Sequence, residues 1–188
     1  MTGNRSITTG EGDAGATHSG AGEEVWKDSA MPEACGTLDE LTCALGLARQ
    51  SVSHKEVASA IKEIQEKLVD VGSALARVPP RRGSDRWLTD KDIRHLSSEC
   101  KKLENRMDVP QDFIIPGESP GGSQVDFARA LARRCERRVV RLSREADLHE
   151  PHLLPWLNRL SDYLWLLARL EEGADKEFSR LYPLNTRL

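Results

Sequence analysis

The sequence has no apolar run approaching the roughly 18 residues that cross a bilayer, and its N-terminus, MTGNRSITTGEGDAG, lacks the apolar core of a secretory signal. These absences lead us to expect a soluble, intracellular chain with no membrane attachment. A basic excess is missing too. Lys and Arg number 27 against 30 Asp and Glu, for a net charge of −3 and a pI of about 6.0, whereas nucleic-acid and membrane-surface domains usually carry surplus positive charge. No nucleic-acid partner is expected. The four cysteines, Cys35, Cys43, Cys100 and Cys135, show no CxxC spacing, which argues against a zinc site or disulfide and for reduced, buried thiols. Among the histidines only His149 and His152, in HEPH, approach ligand spacing, and Pro151 between them at a helix start disfavours metal binding. Internal repeats are absent and strand signals are few.

Helical periodicity is what the chain does have. At 188 residues, 38% hydrophobic and 30% charged, it is long enough for one ordinary core. Residues 1–7 read as a flexible start and 8–33 as a Gly/Thr-rich loop region. The stretch GTLDELTCALGLARQSV places Leu38, Leu41, Leu45 and Ala48 on one stripe, with Thr37 as the expected N-cap. A second stripe runs through Val57, Ile61, Ile64, Leu68, Val71 and Leu75 until PPRRGSDRW breaks it. Thr89 and Asp92 have capping-box spacing ahead of a narrow stripe, Ile93, Leu96, Cys100, Leu103 and Met107, which marks an edge helix. A fourth helix is expected to run to about Ala146. The last carries Leu153, Leu157, Leu160, Leu164, Leu167 and Leu170 and is extended here toward Leu181. The economical architecture is a single all-α domain: a five-helix up-and-down bundle over 34–180 with a tail at 181–188.

The fourth helix is chemically unusual. FARALARRCERRVVRLSR, residues 127–144, holds many arginines, no lysine and one acid, Glu136. On a helix Arg129, Arg133 and Arg137 recur every fourth residue, with Arg134 and Arg138 beside them, while Phe127, Leu131, Cys135 and Leu142 face the opposite side. Like charges at that spacing repel by about a few tenths of a kcal/mol per pair. Two readings are open: a solvated face, or an anion site built from planar guanidinium forks. Asn158 and Asp162, one turn apart on the largely apolar last helix, favour the second. The loop TTGEGDAGAT adds glycines at 10, 12 and 15 among Thr8, Thr9, Asp13 and Thr17, able to form an anion-binding nest, although it matches neither the P-loop nor the dinucleotide fingerprint.

Together, TGEGDAGAT, EACGTLDELTCALGLA, IQEKLVDVGSALA, FIIPGESPGGSQVDFARALARRCERRVV and LNRLSDYLWLLARL resemble the PduO-type ATP:cob(I)alamin adenosyltransferases. The pairing of ARRCERRVV with LNRLSDYL is specific; the glycine loop is not. The resemblance implies a ferritin-like bundle assembled as a homotrimer with active sites between subunits. It also implies transfer of the 5′-deoxyadenosyl group of ATP to the cobalt of reduced cobalamin, with release of triphosphate. By motif position it assigns Arg129, Arg133, Arg134, Glu136 and Arg137 to the ATP-site helix, joined by Asn158, with Arg159 and Asp162 as supporting pair and Thr8, Thr9, Gly12, Asp13, Gly15, Thr17 and Lys27 in the phosphate loop. Asp39 would pair with Arg129 across the subunit interface. Phe113 matches the aromatic that packs below the corrin and displaces the lower axial ligand of cob(II)alamin. Mg²⁺ is expected on the ATP phosphates, with no protein ligands assigned. A reductase and an adenosylcobalamin-dependent acceptor enzyme are the partners implied.

Co(I) is itself a strong carbon nucleophile, so the lack of a Ser/His or Cys/His constellation fits that chemistry. The protein's work is to align ATP and stabilise a leaving group of about four negative charges with fixed donors. Three positions depart from the family pattern. Gly10 stands where a basic residue is usual, Glu11 where a threonine is, and Glu24 at a frequently basic position. The lost charge is expected to raise the ATP KM, and a lysine at position 10 to lower it. The alternative is a carrier or chaperone that binds ATP or a corrinoid without turnover; a third is an arginine face docking an acidic protein. The cytoplasm is the expected compartment, with the mitochondrial matrix as the alternative.

Overall fold

The computed structural model describes residues 8–76, 87–110, 113–146, 150–173 and 180–182. Two short strands, β1 (Ala16–His18) and β2 (Glu24–Trp26), pair antiparallel ahead of the helices. The helices are α1 (Ala30–Ser51), α2 (Lys55–Leu75) and α3 (Asp90–Glu104), then α4 (Pro120–Glu145) and α5 (Leu153–Glu172). Strand β3 (Phe113–Ile114) precedes α4 and pairs antiparallel with β4 (Arg180–Tyr182). The result is an all-α bundle of five helices carrying two small strand pairs.

Packing follows the sequence stripes. Every residue of the α2 stripe is buried, as are Leu38, Leu41, Leu45 and Ala48 on α1. Each buried Val, Leu or Ile among them contributes roughly 1.5–3 kcal/mol by leaving water. Helix α1 lies against α2 and α4, α4 between α1 and α5, and α5 against α3. The narrow stripe of α3 is explained by this arrangement, since α5 is its principal neighbour. Its capping box is present: the Asp92 carboxylate accepts from the Thr89 N–H at 2.8 Å and from the Thr89 hydroxyl at 2.7 Å.

Several expectations are corrected. The N-terminal region is not all loop, because β1 and β2 form a hairpin within it. Helix α1 begins at Ala30 with Ser29 as N-cap, a full two turns before Thr37, whose hydroxyl donates to the Glu33 carbonyl at 2.8 Å inside the helix. Helix α5 stops at Glu172 rather than running toward Leu181; Gly173 follows at φ +89°, a conformation that suits glycine at a helix end. Phe127 is exposed rather than turned to the core, and Val139 fills the α4 stripe instead. Of the cysteines, Cys100 and Cys135 are buried, Cys35 is half-buried and Cys43 is exposed. His152 approaches Asp90 at 3.3 Å, and His149 lies outside the described residues. The expected flexible start, 1–7, and tail residues 183–188 also lie outside them.

Helix α4 is fixed at its N-terminus. Ser119 accepts from the Gly122 N–H at 3.0 Å, and Pro120 occupies the first turn, where its missing N–H costs nothing. The short α1–α2 connection is held from below by Glu171 of α5, whose carboxylate accepts from the N–H and hydroxyl of Ser53 at 2.7 and 2.9 Å and from the His54 N–H at 3.1 Å.

Candidate functional site

Helix α4 carries its arginines on the faces that α1 and α5 leave uncovered. Beneath them Cys135 is fully buried, and burial pushes its thiol up to about 12; the same cause, with Asp39 nearby, pushes the Cys35 thiol up to about 11. Both thiols therefore stay protonated at neutral pH. The repulsion expected along the arginine face is relieved in part by acids of the same chain. Arg134 is ion-paired with Glu40 of α1, Arg138 with Glu33 at 3.0 Å, and Arg141 with Glu145 at 2.7 Å. Arg133 and Arg137 have no carboxylate partner among the described residues; Arg137 Nη1 donates to the Arg133 carbonyl at 3.0 Å. Both guanidinium groups are exposed.

Asn158 reaches this patch from α5, its amide donating to Glu136 Oε1 at 3.4 Å. Arg159 donates to the Asn158 amide oxygen at 3.1 Å and lies 3.5 Å from Asp162. The structure thus brings Arg133, Arg134, Glu136, Arg137, Asn158, Arg159 and Asp162 onto one exposed surface of α4 and α5. Both ends of the Asn158 amide are thus engaged by charged neighbours.

A second locus lies one turn toward the N-terminus of α4. A cavity of about 250 Å³ is lined by Phe113, Ile114 and Pro116 from the segment before α4, Asp126 and Arg129 from α4, and Trp165 and Arg169 from α5. Phe113 is 73% exposed, an unusual state for a phenylalanine held in a strand pair. Arg129 is half-buried and donates from Nε to Asp126 Oδ1 at 3.0 Å. Asp39, its expected partner, is exposed on α1. Arg129 and Arg133, four residues apart, join the two loci along one helix face.

The sequence reading overlooked four buried charges beside this cavity: Asp126, Arg169, Glu171 and Glu172. A signal existed, because Arg169 and Glu172 sit three apart in the largely apolar second half of α5, where unpaired buried charges are not tolerated. Glu40, the partner of Arg134, was likewise passed over in favour of its neighbour Asp39.

The glycine loop is a compact double turn. Gly10 O accepts from the N–H groups of Gly12 and Asp13 at 2.9 and 3.2 Å, and Gly12 O accepts from the Gly15 N–H at 3.1 Å and from Lys27 Nζ at 2.6 Å. Thr9 Oγ1 accepts from the Glu11 N–H at 3.3 Å. The N–H groups expected to form an open nest are therefore engaged with loop oxygens. Gly10 has φ +74°, so a lysine there would be strained, and the expected gain from that substitution does not follow. Lys27 supplies a cation to the loop instead. Thr8, Thr9 and Asp13 are exposed and Thr17 half-buried in β1. No hydrogen bond or ion pair joins this loop to Arg133, Arg134 or Arg137 among the described residues.

Comparison with known proteins agrees with these features. Residues 7–171 match the family model described as cobalamin adenosyltransferase. The corrinoid adenosyltransferase PduO of Salmonella typhimurium is 35% identical over 168 residues, 89% of this chain and 50% of that protein. The corrinoid adenosyltransferase of Bacillus subtilis is 36% identical over 182 residues, 93% of this chain and 92% of its own. The chain thus spans about half the length of the PduO relatives it matches and nearly all of the Bacillus protein. Among solved structures, a variant of the PduO-type ATP:corrinoid adenosyltransferase from Lactobacillus reuteri, complexed with cobalamin and ATP, superimposes with a TM-score of 0.84 at 27% identity, covering 93% of this chain and 98% of that one.

Proposed function

Because the chain belongs to the cobalamin adenosyltransferase family, we propose that it transfers the 5′-deoxyadenosyl group of ATP to the cobalt of cob(I)alamin. In this reaction the cobalt electron pair forms a bond to C5′ as the C5′–O bond breaks. The products are adenosylcobalamin and triphosphate. The observation that carries the reading is the exposed set on α4 and α5, in which Arg133 and Arg137 have no carboxylate partner among the described residues and lie beside an amide oriented by Glu136 and Arg159.

Arg133, Arg134 and Arg137 bind the polyphosphate and stabilise the charge that builds on it, which fixed donors do without reorganising. Asn158 and Glu136 orient the rest of the nucleotide by hydrogen bonds, and Arg159 with Asp162 keeps Asn158 in place. Lys27, Thr8, Thr9, Asp13 and Thr17 close over the phosphates from the loop that Gly12 and Gly15 shape. The described residues include no group of three or more acidic, His or Cys side chains able to hold a metal ion, so Mg²⁺ in this reading travels on the ATP phosphates and adds charge neutralisation there. Phe113, at the mouth of the second cavity, presents an apolar ring to the corrinoid and excludes water from the cobalt.

Among the described residues no hydrogen bond or ion pair joins the loop to the arginine patch, and an active site between subunits of a homotrimer accounts for that separation. In such an assembly Asp39 of one subunit meets Arg129 of the next. A reductase supplying Co(I), an acceptor enzyme taking the product, and a cytoplasmic site of action belong to the same proposal. The engaged N–H groups of the glycine loop favour the alternative of an ATP or corrinoid carrier without turnover; the cation returned by Lys27 argues against it. Quantifying triphosphate against adenosylcobalamin decides between them. Equal amounts support transfer, and bound ATP that is never consumed supports the carrier.

A further inference from the structure

Arg169 is the most deeply buried cation among the described residues, with 1% of its side chain exposed. A guanidinium so placed costs several kcal/mol unless it is paired. Here Nη2 donates to Asp126 Oδ2 at 2.5 Å and Nε to Glu172 Oε2 at 2.7 Å, and the group lies 5.3 Å from the centre of the Trp165 ring. Two acids against one base leave this cluster with an excess negative charge. Arg129 removes it: its Nε takes the other oxygen of Asp126, closing an alternating chain Glu172, Arg169, Asp126, Arg129 whose charges cancel. Arg129 spends its Nε on this inward contact. Its two terminal nitrogens make no hydrogen bond among the described residues, and the side chain lines the cavity that Phe113 borders, which leaves them to Asp39 of a neighbouring subunit in the assembly proposed above or to a ligand.

The backbone is shaped to admit the chain of charges. A Cβ on Gly121 would sit 2.7 Å from Glu171 Oε1 and 2.9 Å from the Val52 Cα, and one on Gly122 would sit 2.6 Å from Glu172 Cγ. The first turn of α4 therefore lies directly on the acids that end α5, where the positive end of the helix dipole favours negative charge. Buried apolar residues would hold two helices together at least as well as ions. What ions add is a fixed direction for Arg129.

We propose that Arg169 and Asp126 are positioning residues for the corrinoid half of the reaction, holding Arg129 so that its terminal nitrogens face the Phe113 cavity. This rests on the function proposed above. ATP binds elsewhere, on the face of Arg133, Arg134 and Arg137, so the two substrates should report the network unequally.

The test compares Asp126→Asn with Glu171→Gln, a neighbouring buried acid that holds the α1–α2 connection and does not touch Arg129. Steady-state kinetics with cob(I)alamin and with ATP varied separately are paired with a crystal structure of each variant. Asp126→Asn is expected to lower kcat/KM for cob(I)alamin by about tenfold or more while the ATP KM stays within about twofold, with Arg129 displaced in the crystal. Glu171→Gln is expected to lower the melting temperature and leave both KM values in place. Equal changes for both substrates, the same kinetic profile in both variants, or an undisturbed Arg129 would overturn the proposal. Should Asp126→Asn fail to fold, Arg169→Lys keeps the buried charge but loses the planar fork, and the same selective loss is required of it. A wild-type protein without turnover, whose Arg129 still moves in Asp126→Asn, would sink the proposed function and leave the positioning role standing.

Discussion

Arg134 on α4 is ion-paired with Glu40 on α1, while Arg133, one residue earlier, has no carboxylate partner among the described residues. One guanidinium is oriented by the protein; in the function proposed above its neighbour is the one that takes the ligand. Both side chains of the pair are about half exposed, so the pair adds no more than about 1 kcal/mol to stability. We therefore expect Glu40→Gln to leave the melting temperature nearly unchanged while altering the ATP KM. Arg134→Ala should lower kcat by about a hundredfold or more, the usual cost of losing a donor to developing charge. Equal, small effects from both would remove Arg134 from the site.

Lys27 should matter more than its exposed position suggests. Its ammonium donates to the Gly12 carbonyl and is the cation that the loop has in place of a basic residue at position 10. Lys27→Met is expected to raise the ATP KM by about tenfold, corresponding to about 1.4 kcal/mol of lost binding, with little change in the KM for cob(I)alamin. Initial rates over a range of ATP concentrations check this.

Two glycines should respond oppositely to alanine. At Gly122 an added methyl overlaps Glu172, which is itself locked on Arg169, so Gly122→Ala is expected to cost about 1–3 kcal/mol. At Gly46 the methyl would meet only Gln65 Nε2, at 3.6 Å, and alanine should stabilise α1 by about 0.5–1 kcal/mol. Differential scanning calorimetry should place the two melting temperatures on opposite sides of the wild type.

The regular parts of this contrast were legible in the sequence. The α2 stripe, the Thr89 capping box and the C-terminal end of α4 follow from local spacing, because period and caps are properties of neighbouring residues; the start of α4 at Pro120 falls inside PGG, a stretch that reads as loop. Thr37 was misread for the same reason: its hydroxyl has a carbonyl partner four residues back within the helix, and sequence alone does not separate that bond from a cap. The arginine surface was legible, but its internal partners were not. Glu40 lies 94 residues from Arg134, and Asp126 lies 43 from Arg169. Pairing over such separations depends on which helices touch, and periodicity does not say. The short strands escaped because two or three residues are too few to show alternation.

Alkali should weaken the fold. Burial raises the Cys135 thiol from 9.0 to about 12 and, with help from Asp39, the Cys35 thiol to about 11. A raised pKa in the folded state means stability that is complete below pH 9 and is lost as pH rises through these values, because the unfolded thiols ionise first. Denaturant midpoints measured from pH 8 to 11 should fall above pH 9, and Cys135→Ala should flatten part of that fall.

Cys43 tests the assembly proposed above. Asp39, Cys43 and Leu47 stand on successive turns of α1, and all three are exposed in the single chain. If Asp39 lies between subunits, Cys43 is covered with it. Alkylation by iodoacetamide, followed by mass spectrometry, should run about tenfold slower in the assembled protein than in Asp39→Arg, which repels Arg129 of the next subunit. Equal rates would move the interface elsewhere.

The most direct test is an anaerobic absorbance assay with chemically reduced cob(I)alamin, ATP and Mg²⁺, run beside Arg134→Ala. Loss of the cob(I)alamin spectrum with appearance of adenosylcobalamin, abolished or nearly so by the substitution, is the predicted result. Binding of ATP and corrinoid with no adenosylcobalamin formed, or undiminished turnover by Arg134→Ala, would contradict adenosyl transfer at the arginine helix.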